Sequence, residues 1–218
     1  PDLTLFQRTA SGLMKGSANS EWYDDPFLTV GRRIYKTDGT FDVVWDTYKV
    51  LSTYDLYLLL FHYEPNEHLY GKDAKWENFY VRIVGHGAGD GLLTIGGQED
   101  MLSGQYNAMD PNGNYSLFWV EHQRWREENK IDDEDDLTFP ELMKKTFAFG
   151  ASIYLDFCYS AEGIGGGGNV GTAIKNILPD ATVWGWRGKV RVLPINLEGK
   201  SRWIVLGWSR VRIPAPTR

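Results

Sequence analysis

The stretch from Ala151 to Gly168 reads ASIYLDFCYSAEGIGGGG and contains Cys158, the single cysteine of the 218-residue chain. Its first part, Ser152 to Phe157, is a short apolar run rich in residues that suit a pleated, buried surface, which predicts a central strand. The glycines at positions 163 and 165–168 end the strand and let backbone approach a ligand closely. The stretch therefore predicts a thiol at the carboxyl end of a strand, where open α/β sheets usually place their chemistry.

A thiol of this kind needs a partner base, because a lone cysteine is most often a small buried hydrophobe. The candidate base is His86, which follows the apolar strand Phe79 to Val84 and Gly85, and which precedes three more glycines. Such a histidine can serve as a general base or hold a thiolate as an ion pair. The alternative is an ordinary turn histidine among glycines.

The segments around these two residues predict a βαβ series. Leu137 to Phe149 has apolar residues at helical spacing, Asn169 is a predicted cap for the helix VGTAIKNIL, and Thr182 to Trp186 is a predicted strand. Parallel strands joined by right-handed crossovers bring their carboxyl ends to one edge of a sheet. His86 and Cys158 are therefore expected to lie side by side.

Two short motifs carry a resemblance to a known superfamily. HGAGDGLL at His86 to Leu93 resembles the His-Gly motif that ends a strand in caspase-like cysteine peptidases, and LDFCYSAEG at Leu155 to Gly163 resembles their Asp-x-Cys-x-Ser-Gly motif. Metacaspases and the clostripain-like, gingipain-like and legumain-like families share this arrangement. The resemblance implies an α/β fold with a caspase-like, mostly parallel sheet flanked by helices. Independently of the resemblance, the sequence predicts antiparallel hairpins at the N- and C-terminal ends.

Carried over by position, the resemblance implies a hydrolase with a His/Cys dyad. Cys158 resembles the nucleophile, His86 the general acid and base, and the backbone N–H groups of Gly87 and Cys158 the oxyanion hole. Asp156 lies two residues before the nucleophile, hence on the same face of the strand. It matches an aspartate that binds substrate in metacaspase-like families, which implies cleavage after Arg or Lys. The alternative is that backbone N–H groups occupy Asp156 at the strand end.

The remaining segments predict one domain. Gly31 to Lys36 and Phe41 to Asp46 flank an Asp-Gly turn, a strong hairpin signal. Asp55 to Tyr63 is nearly continuous in apolar residues and is a predicted strand. Val190 to Ile195 and Arg202 to Arg212 predict a closing hairpin. Residues 1–50 thus form an N-terminal arm and hairpin, part of the same domain as the peptidase region 51–218.

A long polar region, residues 98–136, is predicted to be surface loop that borders the active site. It ends in the acidic run Asp132 to Asp136, which lacks the spaced ligands and central glycine of a calcium loop. His62, His68 and His122 have no Glu or Cys at metal-ligand spacing. We expect neither a metal nor a cofactor.

The composition limits the class of protein. A net charge of −6 with 42% apolar residues excludes a disordered chain and a general nucleic-acid binder. One cysteine excludes an internal disulfide, which favours the cytoplasm or another reducing compartment. No stretch approaches the ~20 apolar residues that span a bilayer. A start at Pro1 rather than Met is compatible with a processed fragment or a delivered effector domain. The expected partner is a protein or peptide substrate, and the oligomeric state is left open.

Two other functions fit parts of the sequence. The segment GIGGGGNVG between a strand and a helix also resembles a nucleotide- or dinucleotide-binding loop, although the next strand ends in Arg187 rather than the acidic residue that would bind a ribose. The chain is alternatively a non-enzymatic, aromatic-rich interaction module in which Cys158 is part of the core. Thiol alkylation separates these functions, because a peptidase thiol reacts fast and a core thiol is inert.

Overall fold

The computed structural model describes residues 27–51, 53–88, 91–94, 101–103, 115–116, 139–164, 169–197 and 200–214. The strands are β1 (Phe27–Tyr35), β2 (Phe41–Lys49), β3 (Trp76–Val84), β4 (His86–Ala88), β5 (Leu92–Thr94), β6 (Met101–Ser103), β7 (Tyr115–Ser116), β8 (Phe147–Asp156), β9 (Thr182–Leu197) and β10 (Lys200–Arg212). The helices are α1 (Thr53–Phe61), α2 (Glu67–Tyr70), α3 (Phe139–Thr146) and α4 (Val170–Ile177).

The main sheet has six strands in the order β10-β9-β8-β3-β1-β2, and a small sheet has the order β4-β5-β6-β7. In the main sheet, β1 pairs antiparallel with both β2 and β3, and β9 pairs antiparallel with β10. Within the main sheet, the parallel pairs among the described strands are β3–β8 and β8–β9. The prediction of a mostly parallel, helix-flanked caspase sheet is therefore wrong. The sheet is mixed, mostly antiparallel and strongly curled into a half-barrel, with few and short helices.

The curl follows from the length of the last two strands. The strands β9 and β10 have 16 and 13 residues, so the right-handed twist of a two-stranded ribbon accumulates along them. Their pairing contains a register shift between Gly207 and Ser209, and the β1–β3 pairing contains another between Gly31 and Arg32. Bulges of this kind bend a sheet and increase its local twist. The sequence signals for a hairpin at this end did not reveal how long the ribbon is.

The hairpin predicted from the Asp-Gly turn is confirmed. β1 and β2 pair in register from Phe27 opposite Lys49 to Tyr35 opposite Phe41. Gly39 adopts a φ of 83°, in the left-handed region that favours glycine, and the N–H of Lys36 donates to the carbonyl of Thr40. Since β1 also pairs with β3, this hairpin belongs to the main sheet.

The predicted strand from Asp55 to Tyr63 is wrong, because this segment forms most of helix α1. Leu56, Leu59 and Leu60 are buried on it. A short continuous apolar run does not distinguish a buried strand from a buried helix, and leucine has a high helix propensity. The main sheet therefore lacks the strand that was predicted for this segment.

The helices cover one face of the main sheet. Helix α3 contacts α1, α4 and β3, and α4 also packs on β9. The core lies between these helices and the sheet, and its sheet members include Val81, Ile83, Ile153, Leu155 and Val183. On the opposite face, side chains are only partly buried at positions that include Tyr80, Arg82, Tyr154 and Trp184. Among the described residues, no helix covers this second face, which we call the open face.

The βαβ series from β3 to β9 is confirmed. Strand β3 leads through α3 to β8, and β8 leads through α4 to β9. The helix predicted over Leu137–Phe149 begins at Phe139 and ends at Thr146, because residues from Phe147 onward join β8. The predicted Asn169 cap is confirmed, since its side chain accepts the N–H of Thr172 at 2.7 Å. This parallel unit positions both candidate catalytic residues.

Candidate functional site

Cys158 lies in a turn that follows β8. Its side chain is half-buried, and its Sγ accepts a hydrogen bond from the N–H of Val190 at 3.3 Å. The carbonyl of Val190 lies 3.7 Å from the same sulfur and can accept the thiol proton. The environment therefore differs from that of an inert core cysteine.

The turn that carries Cys158 is fixed on both sides by buried polar groups. The Ser160 Oγ donates to the carbonyl of Leu155 at 2.7 Å and accepts the N–H of Trp186 at 2.8 Å. The Asn169 Nδ2 donates to the carbonyls of Ser160 and Glu162, at 3.1 and 2.7 Å. Since Ser160 and Asn169 are both buried, these bonds hold the nucleophile turn against β9 and the start of α4.

The residue directly after the cysteine has an unusual backbone. Tyr159 has a φ of 60°, and it is the one non-glycine residue with a positive φ in the described part of the chain. Its N–H donates to the carbonyl of Gly188 at 2.8 Å, and Gly188 itself has a φ of 81°. Left-handed backbone at a bulky residue costs energy, and such strain clusters at functional sites. The strain here turns the chain sharply behind the thiol.

His86 comes to the same edge of the sheet. The parallel register of β3 and β8 ends with Val84 opposite Asp156. Two residues further along each chain lie His86 and Cys158, and neighbouring strands are about 4.8 Å apart. His86 is exposed and begins β4, where it pairs with Thr94. Both candidate residues thus follow the paired ends of neighbouring strands, and the contact between their side chains stays a prediction.

The backbone of Gly87 touches the nucleophile turn. A Cβ placed on Gly87 would overlap the carbonyl oxygen of Cys158 and would lie 2.7 Å from the Phe157 ring. Further along the same loop, Gly91 lies directly against the Asn169 side chain. The glycines of the histidine motif therefore allow its backbone to pack on the cysteine motif. An oxyanion hole formed by the N–H groups of Gly87 and Cys158 stays a prediction.

We expect Gly87→Ala to be damaging for this reason. The added methyl group meets backbone that cannot move without shifting the nucleophile turn, so the free energy of unfolding should fall by about 1–3 kcal/mol. Thiol reactivity and any hydrolysis should fall as well. Denaturant titration and iodoacetamide labelling measure both effects.

The control for this prediction is Gly39→Ala, in the distant β1–β2 turn, where a Cβ meets nothing within 4 Å. That substitution should cost stability through its positive φ while leaving Cys158 fully reactive. If Cys158 reacts equally fast in Gly87→Ala and Gly39→Ala, the interpretation that Gly87 lets the two backbones pack closely is wrong.

Comparison with protein-family models, curated proteins and solved structures finds no match. The resemblance to caspase-like peptidases therefore rests on the two motifs alone and remains a prediction.

Asp156 is the buried charge of the site. Its carboxylate is fully buried and accepts three side-chain hydrogen bonds: Arg82 Nε to Oδ2 at 2.6 Å, Trp186 Nε1 to Oδ1 at 2.6 Å, and Arg210 Nη2 to Oδ1 at 2.8 Å. The alternative considered from the sequence was occupation by backbone N–H groups, whereas the actual donors are side chains. A substrate-binding role for Asp156 stays a prediction, but its carboxylate is already paired with two cations.

Several predictions fall outside the described residues. These are the N-terminal arm over residues 1–26, the glycine run at 165–168, the acidic run at 132–136, His122 and most of the 98–136 loop, of which 101–103 and 115–116 are described. His68 lies in the short helix α2. Within the described ranges, no group of three His, Cys, Asp or Glu side chains is placed to hold a metal ion. No helix of that part of the chain is long and apolar enough to cross a membrane.

Sequence reasoning missed five contributors to the site. Val190 contacts the sulfur through its backbone, which leaves no side-chain signal. The Asn169 side chain donates to two carbonyls of the nucleophile turn, and the Trp186 N–H donates to Asp156. Arg82 and Arg210 lie 74 and 54 residues from Asp156 along the chain. A single signal was available for Arg82: a charged residue in the middle of the apolar run FYVRIV requires a partner.

Proposed function

We propose that this protein is a cysteine endopeptidase in which Cys158 and His86 form the catalytic dyad. One observation supports this most directly: the parallel register of β3 and β8 places both residues two positions beyond the Val84–Asp156 pair. The contact between Gly87 and the Cys158 peptide group adds to it, since the backbone of the histidine motif packs directly on that of the cysteine motif.

The chemistry follows from these groups. The Cys158 thiolate attacks the carbonyl carbon of the substrate, and the N–H groups of Gly87 and Cys158 stabilise the oxyanion. As the C–N bond breaks, protonated His86 gives its proton to the leaving amine, and a thioester remains. Neutral His86 then takes a proton from water, and the hydroxide attacks the thioester. The C–S bond breaks, the carboxylic acid leaves, and the Cys158 thiolate and protonated His86 are restored.

The fixed turn supports catalysis because Cys158 needs little movement to reach the transition state. Ser160 and Asn169 hold the backbone on both sides of Cys158, and the N–H of Val190 holds its sulfur. A nucleophile that is already in position loses little entropy on reaching the transition state. The same contacts disfavour the interaction-module alternative, since a core cysteine needs neither a strained turn nor a donor at its sulfur.

The test is the rate at which iodoacetamide alkylates Cys158 at neutral pH, with and without the histidine. We expect His86→Ala to slow alkylation by about tenfold or more, because the imidazolium no longer stabilises the thiolate. Peptide hydrolysis should fall in parallel, measured by mass spectrometry on a peptide library.

The matched control is His68→Ala, which removes an exposed histidine from the short helix α2. It should leave both rates unchanged. If His86→Ala reacts as fast as the unmodified sequence, the dyad is excluded. In a dinucleotide-binding protein, His86→Ala would change neither the alkylation rate of Cys158 nor peptide hydrolysis.

A further inference from the structure

Strand β2 forms one edge of the main sheet, since it pairs with β1 alone among the described strands. Its register with β1 runs from Phe41 to Lys49 without a bulge, and at nine residues it is longer than the usual length of about five or six. Proteins usually protect such an edge with proline, lysine, a bulge or a short strand. β2 has no proline, and its one lysine is its last residue. Within the described part of the chain, this edge is therefore open to pairing with a further strand.

Three large apolar side chains form a stripe along this edge strand. Phe41, Val43 and Trp45 occupy alternate positions, so they share one face of β2, and they are 49%, 49% and 55% exposed. The Trp45 ring centre lies 5.1 Å from that of Tyr80, which places the stripe on the open face. Contiguous apolar side chains that are exposed to this degree mark an interaction surface.

The aromatic rings at both ends of the stripe are held in place. Trp45 packs edge-on against Phe79 with 5.3 Å between ring centres, and it lies over Gly31, where a Cβ would come within 2.9 Å of the Trp45 ring. Phe41 packs edge-on against Tyr35 at 5.9 Å. Rings that are already fixed lose little side-chain entropy when a partner covers them. The stripe is thus ready to pack on another apolar surface.

The order of residues in the stripe favours a second copy of this chain as the partner. Phe41 and Trp45 are both aromatic and stand at equal distances from Val43, so the stripe presents the same pattern in both directions along the strand. A twofold axis through Val43 sets β2 antiparallel to its copy, with Phe41 opposite Trp45 and Val43 opposite Val43. Aromatic and β-branched residues form stabilising cross-strand pairs.

The acidic residues on the other face of β2 allow this register. Asp42 and Asp46 each have an ion-pair partner in their own chain. With Val43 on the axis, neither aspartate lies opposite another aspartate. With Val44 on the axis, Asp42 would lie opposite Asp46, and an axis at either aspartate would set it opposite its own copy. Like charges directly opposite each other destabilise a sheet, so these other registers are disfavoured.

We propose that the protein forms a twofold-symmetric dimer through β2, with Val43 on the axis and with Phe41 of each copy packed on Trp45 of the other. The main sheets of the two copies then join into one continuous sheet. An axis at Trp45 also keeps the aspartates apart, but it sets Phe41 opposite Lys49 and leaves the stripe unmatched. This inference goes beyond the proposed function and does not depend on it.

The dimer leaves both nucleophile turns outside the interface. Strands β3 and β1 separate β8 from β2. A twofold axis perpendicular to the sheet reverses the direction of every strand, so the carboxyl ends of β3 and β8 point in opposite directions in the two copies. Each Cys158 therefore lies at its own end of the joined sheet, and dimer formation should leave its alkylation rate unchanged.

Sedimentation equilibrium of the unmodified protein, over a range of about a hundredfold in concentration, measures the association. We expect a dimer that dissociates on dilution. Val43→Lys sets two lysines opposite each other on the axis. It should raise the dissociation constant by at least about a hundredfold, since like charges that meet in an interface are strongly disfavoured. Leu206→Lys is the matched control and should leave the constant unchanged, because Leu206 is equally exposed, at 49%, on β10 at the other edge of the sheet.

A monomer at every concentration would overturn the proposal, whether the edge stays open or takes a strand from another protein. A dimer that Val43→Lys leaves intact would also overturn it. If Leu206→Lys disrupts that dimer instead, the copies meet through β10. Circular dichroism shows whether each variant is folded.

Disulfide cross-linking tests the register in a cysteine-free background, Cys158→Ala. In the proposed dimer the Cα atoms of the two Val43 residues lie about 4.5–5.5 Å apart, within reach of a disulfide. Val43→Cys should therefore form a covalent dimer on mild oxidation, seen on a non-reducing gel. Trp45→Cys should not, since the two copies of that residue lie about 13 Å, or four positions, apart along the strands. A link through Trp45→Cys and not through Val43→Cys would overturn the proposed register.

These results are distinguishable from those that test the peptidase. A dimer of a protein that cleaves no peptide supports the interface and contradicts the proposed function, and a monomer that cleaves peptides does the opposite. Iodoacetamide should alkylate Cys158 at the same rate in the unmodified protein and in folded, monomeric Val43→Lys. A slower rate in that variant would contradict the placement of the nucleophile turns outside the interface.

Discussion

Replacing Cys158 by alanine should abolish peptide hydrolysis, with a loss of at least about a thousandfold in kcat. The thiolate forms the thioester intermediate, and no second cysteine exists to replace it. The fold should survive, because the side chain is half-buried and its bonds to Val190 are weak sulfur contacts, worth about 1 kcal/mol or less. Hydrolysis is measured on the peptide that the unmodified protein cleaves fastest.

Circular dichroism and thermal unfolding of the same Cys158→Ala preparation show whether it remains folded. Cys158→Ser is the closer control, since it keeps a hydroxyl that bonds to Val190 but is a far poorer nucleophile than a thiolate. Undiminished hydrolysis by a folded Cys158→Ala protein would contradict the proposed function. Alkylation should at the same time disappear completely from both variants.

Local sequence signals predicted the local parts of this fold well. The Asp-Gly turn after Lys36 gave the first hairpin, and Asn169 gave the start of α4, because each signal acts within a few residues. The parallel order of β3, β8 and β9 followed from the alternation of strands and helices. His86 and Cys158 were brought to one edge of the sheet for the same reason.

The mixed character of the sheet was not predictable in the same way. Strand β1 inserts between β2 and β3 and pairs antiparallel with both, which depends on contacts between residues more than 40 positions apart, such as Arg33 and Glu77. The run from Asp55 to Tyr63 is apolar on all sides, so its period does not choose between strand and helix. The error in fold class therefore has two causes. Sequence signals did not reveal which strands pair, and a buried apolar run fits a strand as well as a helix.

The role of Asp156 shows the same limit at the site. Its position two residues before Cys158 predicted a place beside the nucleophile, and the sequence left open whether the carboxylate is free to bind substrate or is occupied by backbone N–H groups. The burial of this side chain and its two arginine partners come from β3 and β10, far away in sequence. A buried charge always needs partners, so the informative question from sequence is which cations share its face.

Removing that carboxylate should have the largest effect on stability that we predict. Asp156→Ala leaves Arg82 and Arg210 facing each other without a counterion, and it removes the acceptor of the Trp186 N–H. Breaking a buried ion pair by deleting one partner costs about 3–5 kcal/mol. The two arginines here are partly exposed, so solvent screens their repulsion and places the expected loss near the lower end.

The measurement is the free energy of unfolding from denaturant titration, with two comparison variants. Asp42→Ala breaks an ion pair with Lys36 in which both side chains are about two-fifths exposed, 41% and 39%, so it should change stability little. Asp156→Asn keeps the shape and one acceptor oxygen, so its loss should lie between the other two. If Asp156→Ala costs no more than Asp42→Ala, the buried carboxylate is not what holds Arg82 and Arg210 in place.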